Sequence, residues 1–150
     1  MNFANTTIGL ASDHTGVEYK DEIKRYLESR GLTYEDFGAY STDNCNYPDF
    51  AHKLGKALSD RKLDMGIALC GTGNGMAITL NKYPAIRAGL AWSPEIAALV
   101  SAHNKANVLV IPARFIPQES LLPIVAAYLD TPFEGGRHQV RIDGILEGHE

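Results

Sequence analysis

The chain has 150 residues, 45% of them hydrophobic and 21% charged, which fits one globular domain able to bury about two-thirds of the surface its unfolded chain exposes. These proportions exclude a disordered chain, a collagen-like repeat and a disulfide scaffold. Fourteen Lys and Arg against eighteen Asp and Glu leave a formal charge of −4, so nothing draws the whole chain to nucleic acid or an anionic membrane, and any phosphate site must be local.

Short apolar runs alternate with helical periodicities along the chain. Ile8 to Ala11 is an apolar run that ends at Ser12-Asp13-His14. From Gly16 to Arg30, Tyr19, Ile23, Tyr26 and Leu27 share one helical face with charges opposite, and Gly31 is the stop. Thr33 to Phe37 reads as a strand and Asp49 to Ser59 as a helix. Met65 to Leu69 is a buried strand that runs into Cys70-Gly71-Thr72-Gly73-Asn74-Gly75, with Met76 to Leu80 as the helix beyond. Ile86 to Ala91 is a fourth strand. Ser93-Pro94 starts a helix with a capping hydroxyl and a first-turn proline, and places Ile96, Leu99, Val100 and His103 on one face. Val108 to Ile111 is a fifth strand, and Pro117 opens a helix that turns Leu121, Leu122, Val125, Tyr128 and Leu129 inward. Arg137 to Glu147 carries weaker helical character, interrupted at Gly144.

Strands that alternate with helices, and read as continuous apolar runs, predict a mostly parallel sheet covered on both faces: a single three-layer α/β domain of about five strands. Two cysteines, Cys45 and Cys70, make neither a disulfide framework nor a metal-ligand spacing. With no signal-peptide pattern and no apolar stretch of spanning length, the expected location is the cytoplasm. Asn5-Thr6-Thr7 matches a glycosylation acceptor, but without a secretion signal it has no meaning.

Ligands of open α/β sheets sit beyond the C-terminal ends of the strands. Asp13-His14, Tyr47-Pro48-Asp49 and the Cys70 loop all fall there. Gly71, Gly73 and Gly75 leave backbone N–H groups open at a helix start, a nest for an anion or a developing oxyanion. The spacing is neither a dinucleotide fingerprint nor a P-loop. A tight turn around a buried cysteine accounts for the segment equally well, whereas a thiol at a helix N-terminus is set up for a lowered pKa.

His103 has two readings, a satisfied core histidine or a proton shuttle. Its helix returns to the start of the fifth strand, at the opposite edge of the sheet from Cys70. A catalytic His103 therefore requires a second chain whose lower edge closes over the first chain's upper edge. Arg137 and Arg141, four residues apart, form either a phosphate clamp or two solvated arginines. Arg114 is a further candidate of this kind, and His14 faces a phosphate or serves as scaffold. His52 and His149 read as surface residues, Cys45 as structural or incidental, and no spacing of His, Cys, Asp and Glu supports a metal.

Taken in order, Ser12-Asp13-His14-Thr15-Gly16, Tyr47-Pro48-Asp49, Cys70-Gly71-Thr72-Gly73-Asn74-Gly75-Met76, Asn81-Lys82, Ile86-Arg87-Ala88, His103-Asn104, Asn107-Val108-Leu109 and Glu134-Gly135-Gly136-Arg137-His138 resemble the type B ribose-5-phosphate isomerases, whose family includes galactose-6-phosphate isomerase. The resemblance extends from the first strand to Arg141. It implies a Rossmann-like sandwich with a five-stranded parallel sheet, a homodimer or dimer of dimers with shared sites, and isomerisation of an aldose phosphate without metal or cofactor. It also implies Cys70 as base, His103 as the residue that helps open the furanose ring, and Thr72 and Asp13 as handlers of protons and hydroxyls. Gly71 to Gly75 would form the anion hole, Asn74 included, with Tyr47 in the same loop cluster. His14, Asn104, Arg114, Arg137 and Arg141 would contact the substrate or its phosphate. Asn74, Lys105 and Pro112 depart from the residues common in the family.

The chemistry suits such residues: a proton moves between C2 and C1 through an enediolate, which needs a base in reach, preorganised donors and a held phosphate. Allose 6-phosphate and galactose 6-phosphate are alternative substrates. The latter sits less well with one chain that carries both Cys70 and His103. A non-catalytic sugar-phosphate module and a cysteine-nucleophile hydrolase built on Cys70 and His103-Asn104 are the competing classes.

Overall fold

A computed structural model of the chain describes residues 6–148; Asn5 and His149 lie outside it. Five strands, β1 (Thr7–Ser12), β2 (Thr33–Asp36), β3 (Met65–Cys70), β4 (Ala88–Leu90) and β5 (Val108–Pro112), form one parallel sheet in the order β2-β1-β3-β5-β4. Six α-helices accompany them among the described residues: α1 (Val17–Ser29), α2 (Tyr47–Ser59), α3 (Asn74–Leu80), α4 (Pro94–Ala102), α5 (Gln118–Asp130) and α6 (Arg137–Asp143), with a short 3-10 turn at His14–Gly16 before α1.

The strands alternate side chains between two cores, as a period of two requires. Ile8, Leu10, Ile67, Leu69, Leu109 and Ile111 point to the side closed by Ile23 and Leu27 of α1, Val100 of α4 and Leu121 of α5. Ala11, Ala68, Cys70, Val108 and Val110 point to the side closed by Leu54 of α2 and Met76 and Leu80 of α3. The expected three-layer arrangement is therefore present. Each fully buried Leu or Ile contributes about 1.5–3 kcal/mol of transfer free energy. Gly9 brings α2 close to the sheet: a Cβ there would lie 2.5 Å from Leu54 Cδ1.

Local signals explain most boundaries. Ser93 Oγ accepts from the Ile96 N–H at 3.2 Å and starts α4. Gly31, at φ +69°, ends the α1 turn. β4 is shorter than the apolar run from Ile86 to Ala91, because asparagine side chains take over its entry. Asn107 Oδ1 accepts from the Arg87 N–H and Asn81 Oδ1 from the Ala88 N–H, both at 2.8 Å. α6 stops at Asp143, with Gly144 as its cap, short of the expected Glu147.

Two side chains depart from the periodicity. Leu99 is exposed rather than inward. Lys20, on the charged side of the α1 pattern, is fully buried, bonded to the Ala39 carbonyl and paired with Asp36 at 2.8 Å.

Candidate active site

The chain passes from β1 to β2 on one side and returns to β3 on the other, so the sheet's switch point lies between the C-terminal ends of β1 and β3. That crevice is where ligands bind in doubly wound sheets. Asp13 leaves β1 there and Cys70 ends β3.

Asp13 is buried, and its Oδ1 accepts from the Thr15 N–H (2.9 Å) and the Thr15 hydroxyl (2.5 Å). Its carboxylate is thereby held in one rotamer beside the Cys70 loop. Gly73 adopts φ +78° and lies against Leu90, where a Cβ would meet Cδ1 at 2.4 Å. Only glycine turns the chain into α3 in that space. Thr72 Oγ1 accepts from the Asn74 N–H at 3.2 Å, and both residues face solvent. Arg114 donates its backbone N–H to the Gly71 carbonyl at 3.0 Å and lays its Cδ along Gly71. Tyr47, at the start of α2, packs its ring on Gly75.

The Cys70 thiol departs from the expected direction. Burial raises its pKa and the nearby Asp13 charge adds to this, while the N–H groups of Met76, Gly73 and Gly75 pull it down by less. The nest does face the sulfur, but desolvation outweighs it.

His14 Nδ1 accepts from the Cys45 N–H at 3.3 Å, which places the proton of a neutral ring on Nε2, and the Cys45 sulfur lies 3.7 Å from the same nitrogen. Of the two readings of Cys45, the structural one fits: it orients His14. His52, read as a surface residue without a partner, is exposed but meets the Tyr83 hydroxyl at 2.6 Å through Nδ1.

A second cluster lies at the other end of the sheet. α4 descends from β4 to the start of β5, and His103 caps its lower end. His103 is not a core histidine: its side chain is 37% exposed. It lines a cleft of about 340 Å³ with Asn104 and, from α6 and the turn after it, His138, Arg141, Ile142 and Ile145. Arg137 and Arg141 are exposed on α6 and make no ion pair among the described residues. Lys105 instead sets its ammonium over the Phe133 ring, 5.4 Å from the centroid.

Two residues of this cluster were not singled out as site residues from the sequence, Glu134 and the buried His138. The His103 and His138 rings stack at 4.2 Å with 11° between their planes. Glu134 Oε2 lies 3.7 Å from His103 Nε2 and 3.3 Å from His138 Nε2. The Glu134–His138 spacing of four residues next to Arg137 was the available signal. These three residues do gather potential metal ligands, which no sequence spacing suggested. However, two stacked, nearly parallel rings cannot both hold one ion in their planes, so the arrangement does not fit a metal centre.

The ribose/galactose isomerase family profile matches residues 8–145. The chain belongs to the ribose/galactose isomerase family. It is 38% identical to ribose-5-phosphate isomerase B of Escherichia coli strain K12 over 138 residues, which is 92% of this chain and 94% of that one. A ribose 5-phosphate isomerase structure from Thermotoga maritima superposes with a TM-score of 0.89 at 45% identity, covering 93% of this chain and 96% of that one. Ribose-5-phosphate isomerase B of Mycoplasma genitalium, crystallised with ribulose 5-phosphate, superposes at 0.90 with 39% identity and 95% coverage of both. Family membership therefore covers both clusters, the one around Cys70 and the one around His103. Among the described residues, no helix is long and apolar enough to cross a membrane.

Proposed function

We propose that this aldose–ketose isomerase interconverts ribose 5-phosphate and ribulose 5-phosphate at a site completed by a second copy of the chain, using side chains and backbone alone. The observation that carries the reading is the Cys70 thiol, set in a ring of loop N–H groups beside Asp13 at the sheet's switch point.

The furanose opens first. His103 of the second copy takes the proton from the O1 hydroxyl as the C1–O4 bond breaks, and a proton returns to O4. The Cys70 thiolate then removes the C2 proton. The electron pair moves into the C1–C2 bond, the aldehyde oxygen becomes the enediolate oxygen, and the proton is delivered to C1. C2 is oxidised and C1 reduced, so the electrons balance within the sugar.

Loop N–H groups from Gly71 to Gly75 hold the developing charge, and loss of one such donor costs about 3–4 kcal/mol of barrier. Thr72 and Asp13 exchange protons with the O1 and O2 hydroxyls. His14, with its ring proton on Nε2, and Arg114 meet the substrate from the Cys70 side, while Asn104, Arg137 and Arg141 reach it from the second copy. Anchoring the phosphate far from C1 and C2 lets binding energy orient the reacting carbons.

The test is turnover of ribose 5-phosphate beside allose 6-phosphate, with Cys70→Ala as control. Fast turnover of the pentose that disappears in Cys70→Ala is expected. Turnover of the hexose alone would contradict the assigned sugar, and inactivity on both would contradict the assigned site.

A further inference from the structure

We propose that His138 and Glu134 are positioning residues for His103. His138 holds the plane of the His103 ring, and Glu134 fixes which of its nitrogens carries the proton. The inference rests on the reading that His103 moves protons for the reaction.

The starting point is the freedom His103 would otherwise have. It caps the last turn of α4 and its side chain is 37% exposed. An imidazole there can swing and flip, and a flip exchanges nitrogen and carbon positions. A proton shuttle in that state presents the wrong atom much of the time.

The chain closes both freedoms from one short segment. Gly135 and Gly136, at φ +72° and +58°, bend the backbone sharply between Glu134 and α6. The Glu134 N–H donates to the Ala102 carbonyl at 3.0 Å, which ties this segment to the residue before His103. His138, one turn on, is buried and lies flat under the His103 ring at 4.2 Å and 11°. A buried ring cannot move aside, so it supplies a fixed floor for an exposed one.

The carboxylate breaks the flip symmetry. Glu134 Oε2 faces His103 Nε2 at 3.7 Å, within charge contact although longer than a hydrogen bond. A carboxylate accepts from N–H and gains nothing from C–H, so this flip and an Nε2 proton are favoured, leaving Nδ1 to exchange the substrate proton. His138 Nε2, 3.3 Å from the same oxygen, is buried without a hydrogen-bond partner. The cleft shared by these rings holds one further charged side chain, Arg141.

A double-mutant cycle tests the proposal. His138→Ala and Glu134→Gln are each measured in the native background and in His103→Ala. Each is expected to lower conversion of ribose 5-phosphate about tenfold in the native background, within the range of coupling between contacting residues, and to change His103→Ala by no more than about twofold. At saturation, kcat for ribulose 5-phosphate, which cannot close a furanose because O5 carries the phosphate, is expected to fall much less than kcat for ribose 5-phosphate, while the fixed equilibrium constant makes kcat/KM fall equally in both directions. His138→Phe keeps the stacked floor and should restore most of the His138→Ala loss.

Additive effects, an equal loss of kcat in both directions, or native rates in the single variants would overturn the proposal. Glu134 is exposed, so Glu134→Gln carries the cycle even where a His138 variant folds poorly. The underlying reading fails separately: a His103→Ala protein that is fully active removes the shuttle, and with it anything to position.

Discussion

The Tyr47 ring lies so close to Gly75 that a Cβ at position 75 would sit 2.4 Å from its Cε1. This contact joins the start of α2 to the loop that carries Cys70. It brings together two residues that lie 28 positions apart in sequence (75 − 47).

Gly75→Ala therefore forces the Tyr47 ring aside. Position 75 lies within α3, where alanine is the better helix former. Tyr47 is 38% exposed and has room to move. The expected result is near-native thermal stability with kcat/KM for ribose 5-phosphate reduced about 100-fold, the scale of a misplaced positioning group. Native kcat/KM would show that the Tyr47 position is irrelevant to the site.

Burial keeps the Cys70 thiol protonated beyond the ordinary thiol range, and the Asp13 carboxylate reinforces it. Iodoacetamide labelling of Cys70, read by mass spectrometry, should accelerate with pH to a midpoint above that of an ordinary thiol. Asp13→Asn removes the opposing charge but keeps an oxygen for the Thr15 bonds. Its labelling curve is expected to shift to lower pH even though turnover falls. A shift to higher pH would mean that Asp13 does not act on the thiol through its charge.

Lys20 and Asp36 give a stability prediction independent of catalysis. Burial disfavours the Asp36 charge, but the Lys20 and Lys24 ammoniums and the Gly38 N–H outweigh it and hold the carboxyl below its ordinary pKa. Asp36→Ala leaves the fully buried Lys20 ammonium without its counter-charge, a loss of about 3–5 kcal/mol at neutral pH. A depressed carboxylate contributes its stability above the unfolded pKa of about 4 and loses it as pH falls through the folded value. In urea melts the gap between native and variant protein should therefore narrow from pH 7 to pH 3. A constant gap would contradict the pairing.

The layered sheet was legible because β1, β3, β4 and β5 are apolar runs, with only the edge strand β2 polar, and because helix ends carry capping or breaking residues, as Ser93 and Gly31 show. The Cys70 loop was legible because its three alternate glycines leave open N–H groups. Lys20 was hidden because a helical wheel assigns charges to solvent and cannot see Asp36 waiting on a neighbouring strand. The direction of the Cys70 shift was hidden for a similar reason: a helix start is visible in sequence, whereas the packing that desolvates the sulfur is not. The His103–His138 stack depends on two glycine turns whose dihedral angles no periodicity reports.

Under the proposed function, Asp13 and Cys70 at one end of the sheet and His103 and Arg141 at the other are two halves of one site, joined when another copy brings its lower end to the first copy's upper end. Mixing Cys70→Ala with His103→Ala protein under subunit exchange tests this most directly. Cys70→Ala alone is expected to be inactive toward ribose 5-phosphate and His103→Ala to keep only a small residual rate, and the mixed dimers should rise well above both, because one of their two sites holds both native residues. Verified mixed dimers that stay inactive would contradict a site shared between chains.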